Sequence, residues 1–459
     1  MKLGFPNLGS SGAVLLVLAV EVFIIMLGLG LANPILPLYA QSFGVGAAAV
    51  GSLVTVFGVA RIFVNIPAGH WTERFGRRRL LVLGPLVTAT GSFGFALADS
   101  FVQLLVWRVL QGFGSAVVTT ASMVMLADLS TRENRGRIMS LYQGSLLLGA
   151  GAGPAVGGLV AAAWGYHAPF LVFGVLMLVA SGWAALRLPE TRDRARRLAE
   201  IDARQRESAG EVPGSVPAQR GEPNVAGDLH LARDTQQVVR RPGPSGGRDP
   251  LGSPVSAPAS MATAVRALLG ERNFLLVSAM TLMTFFTRSG GQMTLLPLVG
   301  DNRFGLSEAA IGGVFTLIAV MNFLTLYAAG SLSDRFGRKT VIVPSGVLVA
   351  TAVALFAFAG GTTSFVLFAM LLGVGTGLGG PAPAAYAADI VPPRFIGPGM
   401  GLYRTIGDLG FVLGPVALGA LVDVWGYEVA FLVNGALMLA ATLVFAVWAR
   451  ETAGTRAGR

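Results

Sequence analysis

The chain has 459 residues, of which 53% are hydrophobic and only 13% are charged, and its mean hydropathy is +0.66. Soluble domains carry about 25% charged residues, so this composition excludes an ordinary soluble domain and predicts a membrane protein. The absence of cysteine excludes disulfides and cysteine-ligated metal. With three scattered histidines (His70, His167 and His230), we expect no metal site and no cofactor.

Twelve apolar runs are long enough to cross the hydrocarbon core, which takes about 20 residues of helix. In chain order they span 13–36, 50–69, 80–97, 102–126, 138–163, 170–188, 274–299, 309–330, 341–359, 365–388, 397–422 and 430–448. In lipid, backbone polar groups must bond within their own segment, and runs this long and uniformly apolar predict helices rather than barrel strands. The predicted fold class is an all-α membrane protein with twelve transmembrane helices.

The net charge of +10 is concentrated in alternate connections between these runs, which argues against a nucleic-acid-binding face. The opposite connections offer only Arg303. Basic loops stay cytoplasmic, so we expect both termini in the cytoplasm and a multi-pass protein of the cell (plasma) membrane. The basic residues concerned are Arg74, Arg77, Arg78, Arg79, Arg132, Arg135, Arg137, Arg335, Arg338, Lys339 and Arg394.

The segment between the sixth and seventh runs is rich in Arg, Pro, Gly and Ser and has no hydrophobic period. Such a segment buries too little apolar area to offset chain entropy. We therefore predict an N-terminal six-helix bundle (1–189), a disordered basic cytoplasmic linker (190–272), a C-terminal six-helix bundle (273–450) and a cytoplasmic tail (451–459).

A constant offset of 261 residues relates the two halves. It maps Gly69 to Gly330, Asp128 to Asp389, Gly153-Pro154 to Gly414-Pro415, Trp164-Gly165-Tyr166 to Trp425-Gly426-Tyr427 and Glu190 to Glu451. One offset over this length indicates a duplication. The halves are thus predicted to be two parallel six-helix repeats (6+6), each starting in the cytoplasm.

The loop after the second run reads Gly69-x-x-x-Glu73-Arg74-Phe75-Gly76-Arg77-Arg78, and its repeat reads Gly330-x-x-x-Asp334-Arg335-Phe336-Gly337-Arg338-Lys339. With six plus six helices, this pattern resembles the loop signature of the major facilitator superfamily. The first copy differs from that signature because Glu73 stands where Asp is usual. The resemblance covers the chain except its central linker, and it implies a transporter.

The physical role of this loop can be stated without the resemblance. A carboxylate at a helix end can accept hydrogen bonds from the first amides of a neighbouring helix, worth about 0.3–1 kcal/mol when exposed. The glycines permit a tight turn, and the arginines can bind Asp128 or Asp389. We interpret both copies as a cytoplasmic gate rather than as topology determinants alone. Its residues are Gly69, Glu73, Arg74, Gly76, Arg77, Asp128, Gly330, Asp334, Arg335, Gly337, Arg338 and Asp389.

The fifth run contains closely spaced glycines with a proline, a pattern that allows close helix packing and a kink. It resembles the fifth-helix motif of the superfamily's drug:proton antiporters, and Arg108-x-x-Gln111-Gly112 resembles their fourth-helix motif; both imply export. The fifth-run residues are Gly149, Gly153, Pro154, Gly157 and Gly158. No phosphate-binding loop of the Gly-x-x-x-x-Gly-Lys type is present, so ATP is not expected as a partner.

Six charges fall inside the apolar runs, namely Glu21, Arg61, Arg108, Arg288, Arg404 and Asp408. Each costs about 2.5–3.5 kcal/mol at mid-membrane, so each should face a cavity or a partner. The 261-residue offset places an uncharged residue opposite Glu21, Arg61, Arg108 and Asp408, so the repeated helices do not require these charges.

Glu21 is our first candidate for proton coupling and Asp408 the second, because burial favours the neutral form of a carboxyl group. The four arginines would then modulate that carboxylate or contact the substrate. Two structural alternatives remain open: Arg404 and Asp408 are four residues apart and can neutralise each other, and Arg61 can pair with Glu21.

The resemblance implies that helices 1, 4, 7 and 10 line a central cavity. Its candidate residues are Asn33, Gln111, Phe286, Gln292 and Tyr386. A lining with few polar groups suits lipophilic compounds, cations among them, although these residues can equally be lipid-facing or core.

We therefore expect a secondary transporter in the lipid bilayer that uses protons to export small amphipathic molecules, drugs among them, by alternating access. One alternative is proton-coupled uptake of a small metabolite. Another is a membrane sensor or scaffold that transports nothing. An enzyme is the least expected class, since no nucleophile, base and orienting group occur together in one span.

Overall fold

The computed structural model describes residues 10–129, 135–190, 261–380, 382–392 and 395–452. Most of the predicted linker, both chain ends and a few loop residues lie outside these ranges. The described part of the first half contains seven helices: α1 (Ser10–Ala32), α2 (Leu36–Gln41), α3 (Ala47–Phe75), α4 (Arg77–Ala96), α5 (Phe101–Leu129), α6 (Arg135–Trp164) and α7 (Ala168–Arg187).

The second half begins with the short helix α8 (Met261–Leu269). It continues with α9 (Arg272–Phe286), a π-helix (Thr287–Leu295), α10 (Leu296–Phe304), α11 (Glu308–Phe336), α12 (Arg338–Leu355), a 3-10 turn (Phe356–Phe358), α13 (Thr362–Gly379), α14 (Ala382–Ile390) and α15 (Ile396–Trp448). No strand occurs among the described residues, so the all-α class is confirmed.

Within the described ranges, ten helices are long and apolar enough to cross a membrane. This number is lower than twelve for two local reasons. The π-helix divides the seventh predicted run into α9 and α10. The 53-residue helix α15 spans two predicted runs and is broken at Gly426, whose φ is 84°. Twelve helices in a 6+6 arrangement therefore stay a prediction.

The backbone carries the sequence repeat. Glycine is the residue that populates positive φ without steric cost. Every positive-φ glycine in the described ranges pairs with another at an offset of 261: Gly44 (74°) with Gly305 (59°), Gly76 (95°) with Gly337 (106°), and Gly165 (86°) with Gly426 (84°). Both halves therefore turn the chain in the same way at the same places.

Each half also packs around an equivalent aromatic pair. The ring centroids of Phe95 and Phe170 are 4.5 Å apart, and those of Phe356 and Phe431, each 261 residues further on, are 5.4 Å apart. All four rings are fully buried. Aromatic pairs of this kind contribute about 0.5–1.5 kcal/mol beyond the area they bury, so each half has a core of its own.

The helices have two ends that can be named from the turns. We call the end with the Gly76 and Gly337 turns the basic face, and the end with the Gly44 and Gly305 turns the opposite face. Helix α3 runs from the opposite face to the basic face, as does α11 in the second half.

Candidate functional site

The two halves meet at a pair of related helix crossings. In one, α3 crosses α15 where Gly51 lies against the carbonyl group of Pro415; in the other, α11 crosses α6 where Gly312 lies against that of Pro154. A methyl group at either glycine would overlap that carbonyl oxygen. Because the offset relates Gly51 to Gly312 and Pro154 to Pro415, the same backbone contact closes both sides of the interface.

A carboxylate without a repeat ties the halves together at the opposite face. The Asp423 side chain of α15 accepts hydrogen bonds from the backbone N–H groups of Ala47 (2.7 Å) and Ala48 (2.9 Å), in the first turn of α3. The equivalent helix α11 is capped by its own Ser307, which accepts from Ala310 N at 3.3 Å. The first half of the chain thus depends on the second for one of its helix caps.

We predict that Asp423→Ala shifts the protein away from the conformation in which the opposite face is closed. Loss of an N-cap costs about 0.5–2 kcal/mol, which corresponds to roughly a 2- to 30-fold change in population. Because the chain has no cysteine, spin labels can be attached to Ser42→Cys and Val424→Cys. Electron paramagnetic resonance would then report the distance between the two labels across this face. An unchanged distance distribution in Asp423→Ala would contradict the prediction.

Asn302 adds a second polar link at the opposite face. Its side-chain amide donates to Gln41 Oε1 (3.2 Å) in the first half and to the Tyr427 hydroxyl (2.8 Å) in the second. Nearby, burial raises the pKa of Asp301, and the Glu308 carboxylate raises it further. This face therefore combines inter-half hydrogen bonds with a carboxyl group that takes up a proton more readily than a free aspartate.

The glycines of the fifth predicted helix pack α6 directly on α1. Gly149, Gly153 and Gly157 lie against the carbonyl groups of Phe23, Leu27 and Leu31, one helical turn apart on each helix. A methyl group at either Gly149 or Gly153 would lie 2.6 Å from an oxygen, and one at Gly157 would overlap it. Gly158 faces the other way and touches the Glu308 backbone of the second half. The motif thus sets the position of α1.

We predict that Gly157→Ala lowers stability by about 1–3 kcal/mol, because the added methyl group must push α6 and α1 apart. Gly144→Ala is the matched control on the same helix, since nothing lies within 4 Å of the added methyl group there. The control should be neutral or stabilising because alanine has the higher helix propensity. Thermal unfolding of both variants in detergent checks this, and equal midpoints would refute the packing role.

Matching ion pairs form at the basic face. Arg77 Nε lies 2.8 Å from Asp128 Oδ2, and Arg338 Nε lies 3.4 Å from Asp389 Oδ2. Arg77 is almost fully buried, whereas the Arg338 and Asp389 side chains are each 22% exposed. These are the arginine–aspartate contacts that the sequence predicts, although their role as a gate stays a prediction.

The sequence reading assigned no role to Glu190 and Glu451, which cap the helices at these turns. Glu190 accepts from the backbone N–H of Arg77 (3.0 Å), and Glu451 accepts from that of Arg338 (2.8 Å). The 261-residue spacing between Glu190 and Glu451 could have indicated that both residues have the same role. Elsewhere in the predicted gate, Gly69 is partly buried and the Arg74 guanidinium lies 5.6 Å from the Phe75 ring. The side chains of Glu73, Asp334 and Arg335 and the surroundings of Gly330 lie outside the described part.

Glu21 is completely buried on α1, and neither of its carboxyl oxygens has a hydrogen-bond partner among the described residues. It forms no ion pair with Arg61, so the structural pairing considered above is not present. Its electrostatic neighbour is the buried Tyr142 of α6, which also lies near Arg61. An ionised carboxylate without a partner is costly to bury, so this position suits a carboxyl group that carries a proton.

Arg108 and Gln111 belong to the interior of the first half. Arg108 Nη1 donates to Gln111 Oε1 at 2.7 Å, and Gln111 Nε2 donates to Ser92 Oγ at 3.1 Å. The Arg108 guanidinium lies 4.5 Å from the ring centroid of Phe57. Both residues are buried, so in this conformation Gln111 does not line a space between the halves.

The other predicted cavity residues divide into two groups. Tyr386 is fully buried and donates to the carbonyl oxygen of Arg450 at 2.6 Å, and Phe286 is buried in the core of the second half. Neither faces an open space in this conformation. Asn33 and Gln292 are partly exposed, so they remain candidates.

The remaining four charges lie on helices that contact one another across the two halves: Arg61 on α3, Arg288 on the π-helix, and Arg404 and Asp408 on α15. Arg404 Nε of α15 lies 3.2 Å from Asp408 Oδ1, so these two form the predicted i,i+4 pair. Arg61 of α3 has both Arg404 and Asp408 as electrostatic neighbours, and Arg288 of the π-helix has Arg404. We call Arg61, Arg288, Arg404 and Asp408 the interface cluster.

Comparisons with known proteins agree with this architecture. The family model described as "Major Facilitator Superfamily" matches residues 18–307 and 278–458. An uncharacterised MFS-type transporter of Methanocaldococcus jannaschii is 22% identical over 416 residues, covering 89% of this chain and 91% of its own. The quinolone resistance protein NorA of Staphylococcus aureus is also 22% identical over 416 residues, covering 89% of each chain.

A solved structure shares the fold. The bacterial homologue of the human lysosomal transporter Spinster, in an inward-facing and unoccupied conformation, superposes with a TM-score of 0.67 at 16% identity, covering 95% of each chain. The repeated turns, the matching ion pairs at the basic face and the matching family model lead to one assignment. The chain belongs to the Major Facilitator Superfamily and is a multi-pass membrane transporter, not an enzyme.

Proposed function

We propose that this transporter exports small amphipathic compounds from the cell in exchange for protons. It would work by alternating access, with twelve helices in two six-helix halves, both termini in the cytoplasm and the protein in the cell membrane. The observation that carries the proposal is Glu21, a fully buried carboxyl group with no hydrogen-bond partner among the described residues.

The position of Glu21 supports a coupling role. The glycine stripe of α6 holds α1 in close contact, and Tyr142 on α6 interacts electrostatically with Glu21 and also with Arg61 of the interface cluster. Glu21 and the interface cluster thus share one electrostatic neighbour, through which the protonation of Glu21 would influence the surface along which the halves move. An unrepeated carboxyl group in such a place is a candidate proton site in a transporter.

The contacts between the halves suit an inward-facing state. Hydrogen bonds that join them, such as those of Asp423 and Asn302, lie toward the opposite face in the described ranges. If the basic face is cytoplasmic, closure at the opposite face leaves the interface cluster accessible from the cytoplasm. Rocking of the halves would then break the Asp423 cap and expose the cluster on the other side.

The direction of transport is proposed from two observations. The glycine pattern of α6 resembles that of exporters, and NorA, which aligns over most of the chain, is named for quinolone resistance. Proton-coupled uptake of a metabolite and a scaffold that transports nothing are the competing outcomes of the test.

Purified protein in liposomes, with a fluorescent pH indicator inside, provides the test. Anionic and cationic amphipathic compounds would be added separately under an imposed proton gradient. For an antiporter we expect substrate and proton to move in opposite directions. Movement in the same direction would establish uptake by symport. If no compound moves with or without the gradient, the result would support a scaffold.

A further inference from the structure

We propose that the interface cluster binds the anionic group of its substrate, so that the exported compounds are amphipathic organic anions bearing a carboxylate, sulfonate or phosphate. This rests on the proposed export function and narrows its substrate class. It departs from the lipophilic cations that the sequence suggested.

The charge balance of the cluster is the first argument. The cluster contains three guanidinium groups, which stay protonated in proteins, and one carboxylate, that of Asp408. Asp408 pairs with Arg404 at 3.2 Å, while no described carboxylate forms an ion pair with either Arg61 or Arg288. Glu21 does not supply the missing charge, because its oxygens contact no donor. Two positive charges therefore lack a counter-charge among the described residues, and like charges that interact favour an anion between them.

The placement of Arg288 is the second argument. Arg288 is exposed, and the π-helix that carries it contacts both α15 of its own half and α3 of the first half. Arg288 sits in a π-helix, a conformation found frequently at functional sites. The same segment is held by Gly290 against the Gly414 backbone and by Gly291 against Asn434. The Arg288 side chain therefore belongs to a backbone segment that is held in place by close packing.

The repeat strengthens this reading of Arg288. The 261-residue offset places Leu27 opposite Arg288 and Gln143 opposite Arg404. The first half builds the corresponding helices without a charge at these positions. An arginine that the fold does not need, in a place where charge is costly, is best explained by a ligand that binds it.

The aromatic neighbours are the third argument. The Arg61 guanidinium carbon lies 5.8 Å from the ring centroid of Phe57, and that of Arg404 lies 5.4 Å from the ring centroid of Phe285. Arginine beside an aromatic face offers both a forked donor for an anion and an apolar surface for the body of the compound. An organic cation would meet the same apolar surface but would be repelled by the excess positive charge.

The energetics of export agree with an anion. An inside-negative membrane potential favours the exit of negative charge and opposes the exit of positive charge. Movement of a proton inward and of an anion outward therefore adds two favourable electrical contributions.

Two dyes that share a xanthene ring and differ in charge test the inference: anionic fluorescein and cationic rhodamine 123. Binding to the purified full chain in neutral lipid nanodiscs would be measured by fluorescence anisotropy. We expect fluorescein to bind at least about tenfold more tightly than rhodamine 123. Arg288→Gln should weaken fluorescein binding about tenfold or more, the effect of losing one charge-assisted hydrogen bond, without weakening rhodamine 123 binding.

Three further variants make the result specific. Arg61→Gln should weaken fluorescein binding as Arg288→Gln does, and Arg288→Lys should retain most of it, because the charge is kept. Arg266→Gln, which removes an exposed arginine on α8, should leave it unchanged. Thermal unfolding midpoints close to that of the unmodified chain would show that each variant is folded.

The inference is wrong if rhodamine 123 binds more tightly than fluorescein, if neither dye binds, or if Arg288→Gln behaves like Arg266→Gln. These outcomes are separate from the test of export, because binding preference is read without a gradient and transport direction is read in liposomes. Import of an anion would overturn the proposed function and leave the binding inference standing.

Discussion

Glu21→Gln is expected to abolish gradient-driven accumulation while leaving the protein folded. Glutamine has the shape of the protonated side chain and adds no charge to a site that offers no partner. The variant therefore mimics a transporter whose proton cannot leave. A membrane potential of 100 mV is worth about 2.3 kcal/mol per charge, so the loss of one coupled proton should lower the attainable concentration ratio roughly 50-fold at that potential. Substrate accumulation in everted vesicles, compared with passive equilibration, measures this ratio.

Asp408→Asn is the comparison that identifies the coupling group. Asp408 is the other candidate carboxylate, and it is already paired with Arg404 and partly exposed. If the accumulation ratio collapses in Asp408→Asn and stays intact in Glu21→Gln, coupling belongs to Asp408. If both variants accumulate substrate normally, neither carboxyl group couples transport to protons.

Arg77→Gln is expected to destabilise the protein more than the same change at its repeat, Arg338. The pair of Arg77 and Asp128 is short and mostly buried, with side-chain exposures of 4% and 13%. Removing one partner of a buried pair costs about 3–5 kcal/mol because the other charge stays desolvated. The Arg338 pair is longer and more exposed, so its loss should cost about 1 kcal/mol or less.

The two repeats serve as controls for each other in this experiment. Denaturation midpoints of Arg77→Gln and Arg338→Gln in the same detergent give the difference directly. Distances across the basic face, measured between spin labels in the cysteine-free chain, would show whether either pair also controls opening. Equal destabilisation by both variants would mean that the burial of Arg77 does not make its ion pair more stabilising than that of Arg338.

Much of this architecture follows from local sequence. Apolar runs of about 20 residues have to become helices in lipid, because their backbone groups find no other partners. The turns at Gly76 and Gly337 were also predictable, because glycine adopts a positive φ without steric cost. Both glycines do have a positive φ. The pairing of Arg77 with Asp128 followed from the repeated spacing. The helix count differed at two places: a π-helix divides the seventh run, and the last two runs meet at the break at Gly426 with no loop between them. Hydropathy registers neither a change of helical pitch nor the absence of a loop.

The sequence by itself determined the class of protein, the internal repeat and the set of charges that the repeat does not require. These depend on composition and on spacing along the chain, and neither requires knowledge of the tertiary contacts. Only the tertiary structure decided how those charges divide: Glu21 has no hydrogen-bond partner among the described residues, Arg108 is bound to Gln111, and Arg61 interacts with Arg404 and Asp408. It likewise showed Asp423 capping α3 from the other half. Such contacts join residues hundreds of positions apart, and only the packing of helix on helix determines which of them meet.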